Sequence, residues 1–493
     1  MKHRILCIVI VLSLCASIIG AFFLSQVQVA EKSTRYHQHL QASEKELCQH
    51  DDTTFCTHLP LINIDTSGAE IPGARYHGEN GTIYETTTPS GESFVLANIQ
   101  IFDSSTQNNH LTDRASDVGN AQIKVRGNSS RYHDKLGYSL TFVDEQGANE
   151  SHAVMGMDPH HEWAMHGPFM DKTLIRNYMW YNIAGEIMSY APNVRFCEAF
   201  LNGEYIGVYV MVETITAGQT DNSRLDLSLE KKNQNFMGYC VRLDRGSSEL
   251  KELNTFSMYT LRHKQKLDIV YPGTSNLSAT LKRQIEQDFS YFERILYSYD
   301  YKSQEYGYTN YIDTQSFIDY FIINEFTSNY DAGWLSTYVY KGMDGLFRMC
   351  IWDFNSACDN YKDPINPVGF EMNVQPWYTM LIKCSDFTEQ IIDRYKELRQ
   401  TYLSDEYLNE YINSTVAYLG DAIDRNYQKW GYTFGEDEDM LRPSDRNPRT
   451  YTQAIEDMKN YLRIRSTWLD ENIDSLMQYA SDSRNKKHNE ARR

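Results

Sequence analysis

Residues 329–355 read NYDAGWLSTYVYKGMDGLFRMCIWDFN, and the fold turns on how this stretch doubles back. The runs 337–340 and 346–351 are rich in β-branched and aromatic residues. The connection 342–345 contains Asp344-Gly345, a dipeptide suited to a tight turn. The two runs are therefore expected to pair as an antiparallel hairpin. A hairpin brings the chain back to its start, so Asp331 before the first strand and Asp353 after the second should lie at the same end of the ladder. Interstrand spacing puts them a few to ~10 Å apart. Two carboxylates so placed suit metal-assisted phosphoryl transfer, in which one holds Mg against the phosphates and the other accepts or orients an acceptor hydroxyl. An Asp at a strand end is also a common turn or cap residue, so the pair alone does not define a site.

Just upstream, 314–326 reads as a helix with Asp313 as its cap and Phe317, Tyr320, Phe321, Ile323 and Phe326 on a broad apolar face. The order helix, Asp, strand, turn, strand, Asp-Phe is also the order of a protein kinase's catalytic and metal-binding segments. Nearer the N-terminus, 194–200 and 206–212 flank Asn202-Gly203, the strongest short-range hairpin signal. Asp171 is expected to cap a helix in which Ile175, Met179, Ile183 and Ile187 recur every four residues. The segments 121–125 and 138–143 are strand candidates around the loop Arg126-Gly127-Asn128-Ser129-Ser130. Between 59 and 102, short β-type runs alternate with Gly, Pro, Ser and Thr clusters, which implies a small β-rich layer. From 387 to 476 amphipathic helices dominate, interrupted at 430–448 by a polar loop. The resulting plan is residues 1–30 as signal peptide or signal anchor, 31–58 as a polar stalk with a short helical stretch at 44–46, 59–115 as a small β-rich segment, 116–478 as the main domain and 479–493 as a basic tail.

The 493 residues are 41% hydrophobic and 13% aromatic, ample for a substantial core. A formal net charge of −19 repels polyanions, so no nucleic-acid partner is expected. Residues 5–24 form an apolar run behind Lys2, His3 and Arg4, long enough to cross a bilayer, with the positive flank favouring export of the rest of the chain. The protein is therefore expected outside the cytoplasm, either secreted or held by a single membrane pass. Cleavage after Ala30 and retention both fit. Of nine cysteines, Cys7 and Cys15 lie in the apolar run. Cys48 and Cys56 are close enough to bridge in an oxidising compartment, and the others read as buried small hydrophobes. His133, His161 and His166 show no metal-like pairing and read as loop or cap residues. There is no G-x-S-x-G elbow and no Walker-type phosphate loop.

Several separated blocks resemble the CotH (spore coat protein H) family in the same order, from about residue 59 to 476. They are IKVRGNSSRYHDKLGYSLTF (123–142), MGMDPHHEWAMHGPFMDKTLIRN (155–177), FLNGEYIGVYVMVETI (200–215), the stretch 329–355 and the closing LRIRSTWLDENIDSL. The resemblance implies an α+β, divergent protein-kinase-like domain with a small N-terminal β-rich layer and a helical C-terminal region. It implies a protein kinase using ATP and Mg on a Ser, Thr or Tyr of a protein substrate, in or near the cell envelope or spore coat. By position, Asp331 looks like the catalytic aspartate and Asp353 like the Mg-binding aspartate, with Asn355 offering a second metal or phosphate contact. Ser336 and Thr337 fall near an ordinary kinase's second metal-binding Asn, and neither is a strong Mg ligand. Arg126, Gly127, Asn128 and Ser129 look like a phosphate-facing loop. Lys135 reads either as a lysine on the α/β-phosphates or as a solvated loop residue. Arg176 could reach phosphate or pair with a carboxylate, Glu186 could partner Lys135, and Glu213 could contact adenine or lie on the surface.

Two rival readings share these residues. One is a catalytically silent structural or surface-interaction protein that keeps the fold, since exported proteins meet little ATP. The other is a carbohydrate-active enzyme with Asp331 and Asp353 as acid and base.

Overall fold

The computed structural model describes residues 35–46, 54–218, 224–227, 238–435 and 440–480. The chain divides into two units, Met1–Tyr36 and His37–Arg493, and the second carries every strand and helix named below. The apolar run 5–24, Cys48 with its expected bridge to Cys56, and the tail from 481 lie outside the described residues. Among the described residues no helix is long and apolar enough to cross a membrane.

The architecture is mixed α+β. Nine strands occupy the first half: β1 (Leu61–Asp65), β2 (Arg75–His77), β3 (Ile83–Glu85), β4 (Val95–Phe102), β5 (Asp117–Arg126), β6 (Gly137–Val143), β7 (Glu162–His166), β8 (Val194–Leu201) and β9 (Glu204–Glu213). Seven of them close into a barrel in the order β1-β4-β5-β6-β7-β9-β8, while β2 and β3 form a separate ribbon. Closure comes from a parallel pairing of β1 with β8, Leu61 opposite Glu198 through Ile64 opposite Leu201. The β-rich segment expected at 59–115 thus shares one sheet with strands as distant as residue 213. No local signal announces that pairing, because a parallel partner is reached only through a long crossover. Inward-facing Ile62, Ile64, Ile99, Ile101, Ile123, Leu140 and Trp163 fill the barrel. Along β5, burial alternates residue by residue, as a half-covered strand requires.

The β8–β9 hairpin turns at Asn202 (φ 50°) and Gly203 (φ 81°), the left-handed pair that the Asn-Gly signal predicts. The helix Arg176–Ile187 follows β7 and is buried nearly all round. Its four-residue apolar repeat suggested one core face. Arg176, Asn177 and Asn182 are buried too, because the outer face of β8 and β9 covers one side and the second half of the chain covers the other. Asp171 does not occupy the capping position itself, yet its carboxylate accepts from Arg176 N at 3.0 Å and so satisfies that end from further upstream.

The second sheet is β11-β12-β10-β13-β14, from β10 (Tyr239–Asp244), β11 (Glu252–Leu253), β12 (Lys266–Tyr271), β13 (Thr337–Lys341) and β14 (Phe347–Cys350). β13 and β14 pair antiparallel, Tyr338 opposite Cys350, as the 329–355 reading requires. The helix Thr314–Thr327 precedes them, with Asp313 accepting from Ser316 N as its cap. Helices Ser385–Leu398, Asp405–Leu419, Asp421–Trp430 and Tyr451–Asn472 complete the helical C-terminal region. The helical stretch expected at 44–46 is instead extended, and Glu46 N bonds Thr106 O at 2.9 Å. Ahead of it, Gln38 pairs with both backbone groups of Phe196 on β8 at 2.7 and 3.2 Å.

Candidate functional site

Because β13 runs out from Asp331 and β14 runs back to Asp353, both aspartates open on one cleft of ≈ 1040 Å³ between the barrel and the second sheet. Arg126, Gly127, Asn128, Ser129 and Asn355 line the same cleft. Gly127 is at φ +110°, and a Cβ there would meet Ser130 Oγ at 2.0 Å, so the loop can take this shape only with glycine.

Asp353 has φ +58°, a left-handed conformation that costs a non-glycine residue about 1–2 kcal/mol. Three side chains hold it there. Tyr181 Oη accepts from Asp353 N at 3.1 Å, and Asn329 Nδ2 donates to the Asp353 carbonyl at 3.1 Å. Asn177 accepts from Phe354 N at 2.8 Å and donates to Asn355 Oδ1 at 2.9 Å. Asn355 Nδ2 in turn donates to Asp353 Oδ1 at 2.8 Å. The buried central helix thus sets the direction of the Asp353 carboxylate.

Burial pushes the Asp331 carboxyl up to about 7, reinforced by the charges of Asp353 and Asp244 and opposed by Arg245. Burial also raises Asp353, against bonds from Asn355 and the nearby Arg126 charge. Among the described residues nothing donates to the Asp331 carboxylate or to Asp353 Oδ2. Hard carboxylate oxygens left without donors in one polar cleft are the donor set that Mg takes, and the second lone pair of Asn355 Oδ1 adds a neutral oxygen. Arg126 reaches His166 Nε2 at 3.0 Å and lies over the Trp352 ring at 5.4 Å from its centroid, which fixes the guanidinium at the cleft wall.

Three sequence candidates lie elsewhere. Lys135 is 1% exposed and does not line the cleft; its Nζ donates to Asn426 Oδ1 at 2.7 Å, a partner on the helix Asp421–Trp430. Neither a solvated loop nor a pairing with Glu186 describes it, and Glu186 accepts from His37 at 2.7 Å. Arg176 takes the carboxylate option: it pairs with Asp171 and donates to the carbonyls of Ala357 at 2.9 Å and Cys358 at 3.3 Å, bracing the chain just beyond Asn355 from behind. Glu213 is fully buried, with Oε2 accepting from Asn193 N at 2.8 Å and Asn193 Nδ2 at 3.1 Å, away from the cleft. Of the histidines, His133 stacks on Phe169 at 4.9 Å and His166 faces Arg126. His160, His161 and Glu162 come within 4.8 Å of one another, but His160 Nδ1 already accepts from Glu162 N at 2.9 Å.

Sequence reasoning missed Tyr181, Asn177, Asn329 and Asp244. Asp244 ends β10, is 6% exposed and lines the cleft. Asn329 lay inside the quoted stretch and is the one that a search for amide side chains near Asp353 could have found. The others come from distant segments of the chain and carry no local signal.

Fold and site together define a mixed α+β protein with a polar cleft, lined by both carboxylates and guanidinium groups, between a closed barrel and a five-stranded sheet. A family model described as CotH kinase protein matches residues 123–469, from within β5 to the helix Tyr451–Asn472. The inner spore coat protein H of Bacillus subtilis (strain 168) is 22% identical over 352 residues, covering 69% of this chain and 86% of that protein. The chain belongs to the CotH family.

Proposed function

We propose that the protein is an atypical protein kinase that transfers the γ-phosphate of Mg-bound ATP to a Ser, Thr or Tyr hydroxyl of a protein. The observation that carries this reading is the shared cleft: Asp331, Asp353 and Asn355 open onto the same space as the Arg126–Ser129 loop. The sequence from the helix Thr314–Thr327 through Asp331 and the hairpin to Asp353-Phe354-Asn355 runs in the order of a kinase's catalytic segments, and on this reading the domain is a divergent kinase-like fold.

Asp353 and Asn355 would hold Mg, and Arg126 with the Asn128 and Ser129 loop would face the phosphates. The metal, when bound, neutralises phosphate charge. Asp331 carries a carboxylate with no donor among the described residues and a raised proton affinity, which suits it to orient the acceptor hydroxyl and take its proton. The acceptor oxygen bonds to phosphorus as the bond to the β-phosphate bridging oxygen breaks, and ADP leaves. With the name of the Bacillus relative and the apolar run 5–24, an extracytoplasmic place in the coat or envelope, secreted or membrane-held, fits the same reading.

The test is label transfer from γ-labelled ATP with Mg or Mn, using residues 31–493. Asp331→Ala should lower transfer by about 10²–10⁴-fold while nucleotide still binds. Asp353→Ala should abolish both transfer and Mg-dependent nucleotide binding. A wild-type chain that binds no nucleotide and transfers no label would leave the silent-scaffold reading standing instead.

A further inference from the structure

We propose that the strap 37–39 is a positioning element of the site, acting through the central helix Arg176–Ile187 on the Asp353 carboxylate. The strap lies far ahead of residue 123, where the family model begins. Two of its side chains nonetheless grip the helix at two points. His39 meets Tyr178 in the first turn: Tyr178 Oη accepts from His39 N at 3.2 Å and lies 2.9 Å from His39 Nδ1. His37 Nε2 lies 2.7 Å from Glu186 Oε1, roughly 12 Å further along the helix axis. Asn177, beside Tyr178 in the chain, and Tyr181, about one turn later, are the side chains that hold the backbone of Phe354 and Asp353.

The barrel closes the grip from the other side. Gln38 Oε1 accepts from Phe196 N at 2.7 Å, and Gln38 Nε2 donates to Phe196 O at 3.2 Å. The side chain thus occupies the edge of β8 just short of Glu198, where the pairing with β1 begins. The Phe196 ring stacks on the Tyr178 ring at 4.1 Å and 25°, so strap, strand and helix meet around one fully buried phenol. The Tyr411 hydroxyl, 3.0 Å from His37 Nδ1, adds the helix Asp405–Leu419 to the same junction. Burial, with the nearby His37, pushes His39 down to about 3 and keeps its ring neutral. With the proton on Nε2, Nδ1 accepts from the Tyr178 hydroxyl. His39 Nε2 is itself buried without a partner among the described residues, so the ring is placed by Tyr178 and by the Tyr411 ring at 4.4 Å. A buried polar network holds one arrangement while its members are all present, and the loss of one frees the element it fixed.

The proposal rests on the reading of Asp353 as a site residue, but its test needs neither metal nor turnover. Hydrogen exchange of the full chain is followed at the amides of Asp353 and Phe354, which donate to Tyr181 Oη and Asn177 Oδ1. His39→Ala should speed exchange there by at least tenfold while the helix Tyr451–Asn472 keeps its wild-type rate. His39→Asn, whose Oδ1 replaces Nδ1 as acceptor, should restore most of the protection. Amides 353 and 354 that exchange in His39→Ala as in wild type, or no faster than the rest of the chain, overturn the proposal and leave the strap as packing alone. Should His39→Ala fail to fold, Tyr178→Phe, which removes only the hydroxyl, must speed the same two amides at least threefold; unmoved amides overturn it equally. Faster local exchange in His39→Ala together with no label transfer by wild type would sink the kinase reading and leave the strap's role in place.

Discussion

Asp353 combines a strained backbone with a carboxylate that its surroundings leave under-bonded. Such strain persists only where neighbours over-determine the conformation, as Tyr181, Asn329 and Asn177 do here. Comparing two truncations isolates it. Asp353→Gly and Asp353→Ala both remove the carboxylate, but only alanine keeps a Cβ at φ +58°. Glycine is expected to be the more stable of the two by about 1 kcal/mol, read from denaturant midpoints. Equal midpoints would mean the left-handed conformation is not stressed. Among single residues, the meeting of Asp331 and Asp353 at one end of the ladder could be read from the sequence because each sits at a strand end, whereas the place of Asn355 and the Arg126 loop beside them followed only from the family resemblance. Lys135 could not be read from either, because its partner Asn426 is 291 residues away.

The helices act on the site through single buried polar groups. Arg465, fully buried on the helix Tyr451–Asn472, pairs with Glu325 near the end of the helix Thr314–Thr327 and donates to the carbonyls of Pro367 at 2.9 Å and Gly369 at 2.7 Å. Glu325 also accepts from Met372 N at 2.8 Å. One guanidinium therefore ties the C-terminal helix, the helix before Asp331 and the loop 367–372 into one unit. Breaking a buried pair strands its partner's charge, so Arg465→Met should cost about 3–5 kcal/mol in urea unfolding. A loss under about 1 kcal/mol would show that the pair contributes little. The hairpins and the helix Thr314–Thr327 were legible from turn residues and periodicity, whereas the burial of Arg176–Ile187 on every side was not, since it depends on what packs against its polar face.

Across the whole molecule, barrel closure decides which part of the chain can stand alone. The family match begins at residue 123, within β5, and so leaves out β1 and β4. Those strands pair with β8 and β5. Removing them would expose the edges of both strands and open the core of Ile62, Ile64, Ile99 and Ile101. A chain starting at residue 116 should therefore aggregate or expose apolar surface to a hydrophobic dye, while one starting at residue 37 should fold. A soluble, cooperatively melting 116–480 fragment would refute the structural dependence on β1 and β4.

Local geometry was already written in the order of the residues: the Asn202-Gly203 and Asp344-Gly345 hairpins, the Asp313 cap, and the return of Asp353 to the end of the ladder where Asp331 lies. These follow from backbone preferences and side-chain periods that act over a few residues. It took the assembled fold to establish that β1 closes a barrel against β8, that Lys135, Arg176 and Glu213 are engaged by buried partners, and that Asp244 joins the two aspartates. Those outcomes depend on which distant surfaces exclude water together, and a buried polar group takes whatever partner that packing brings to it.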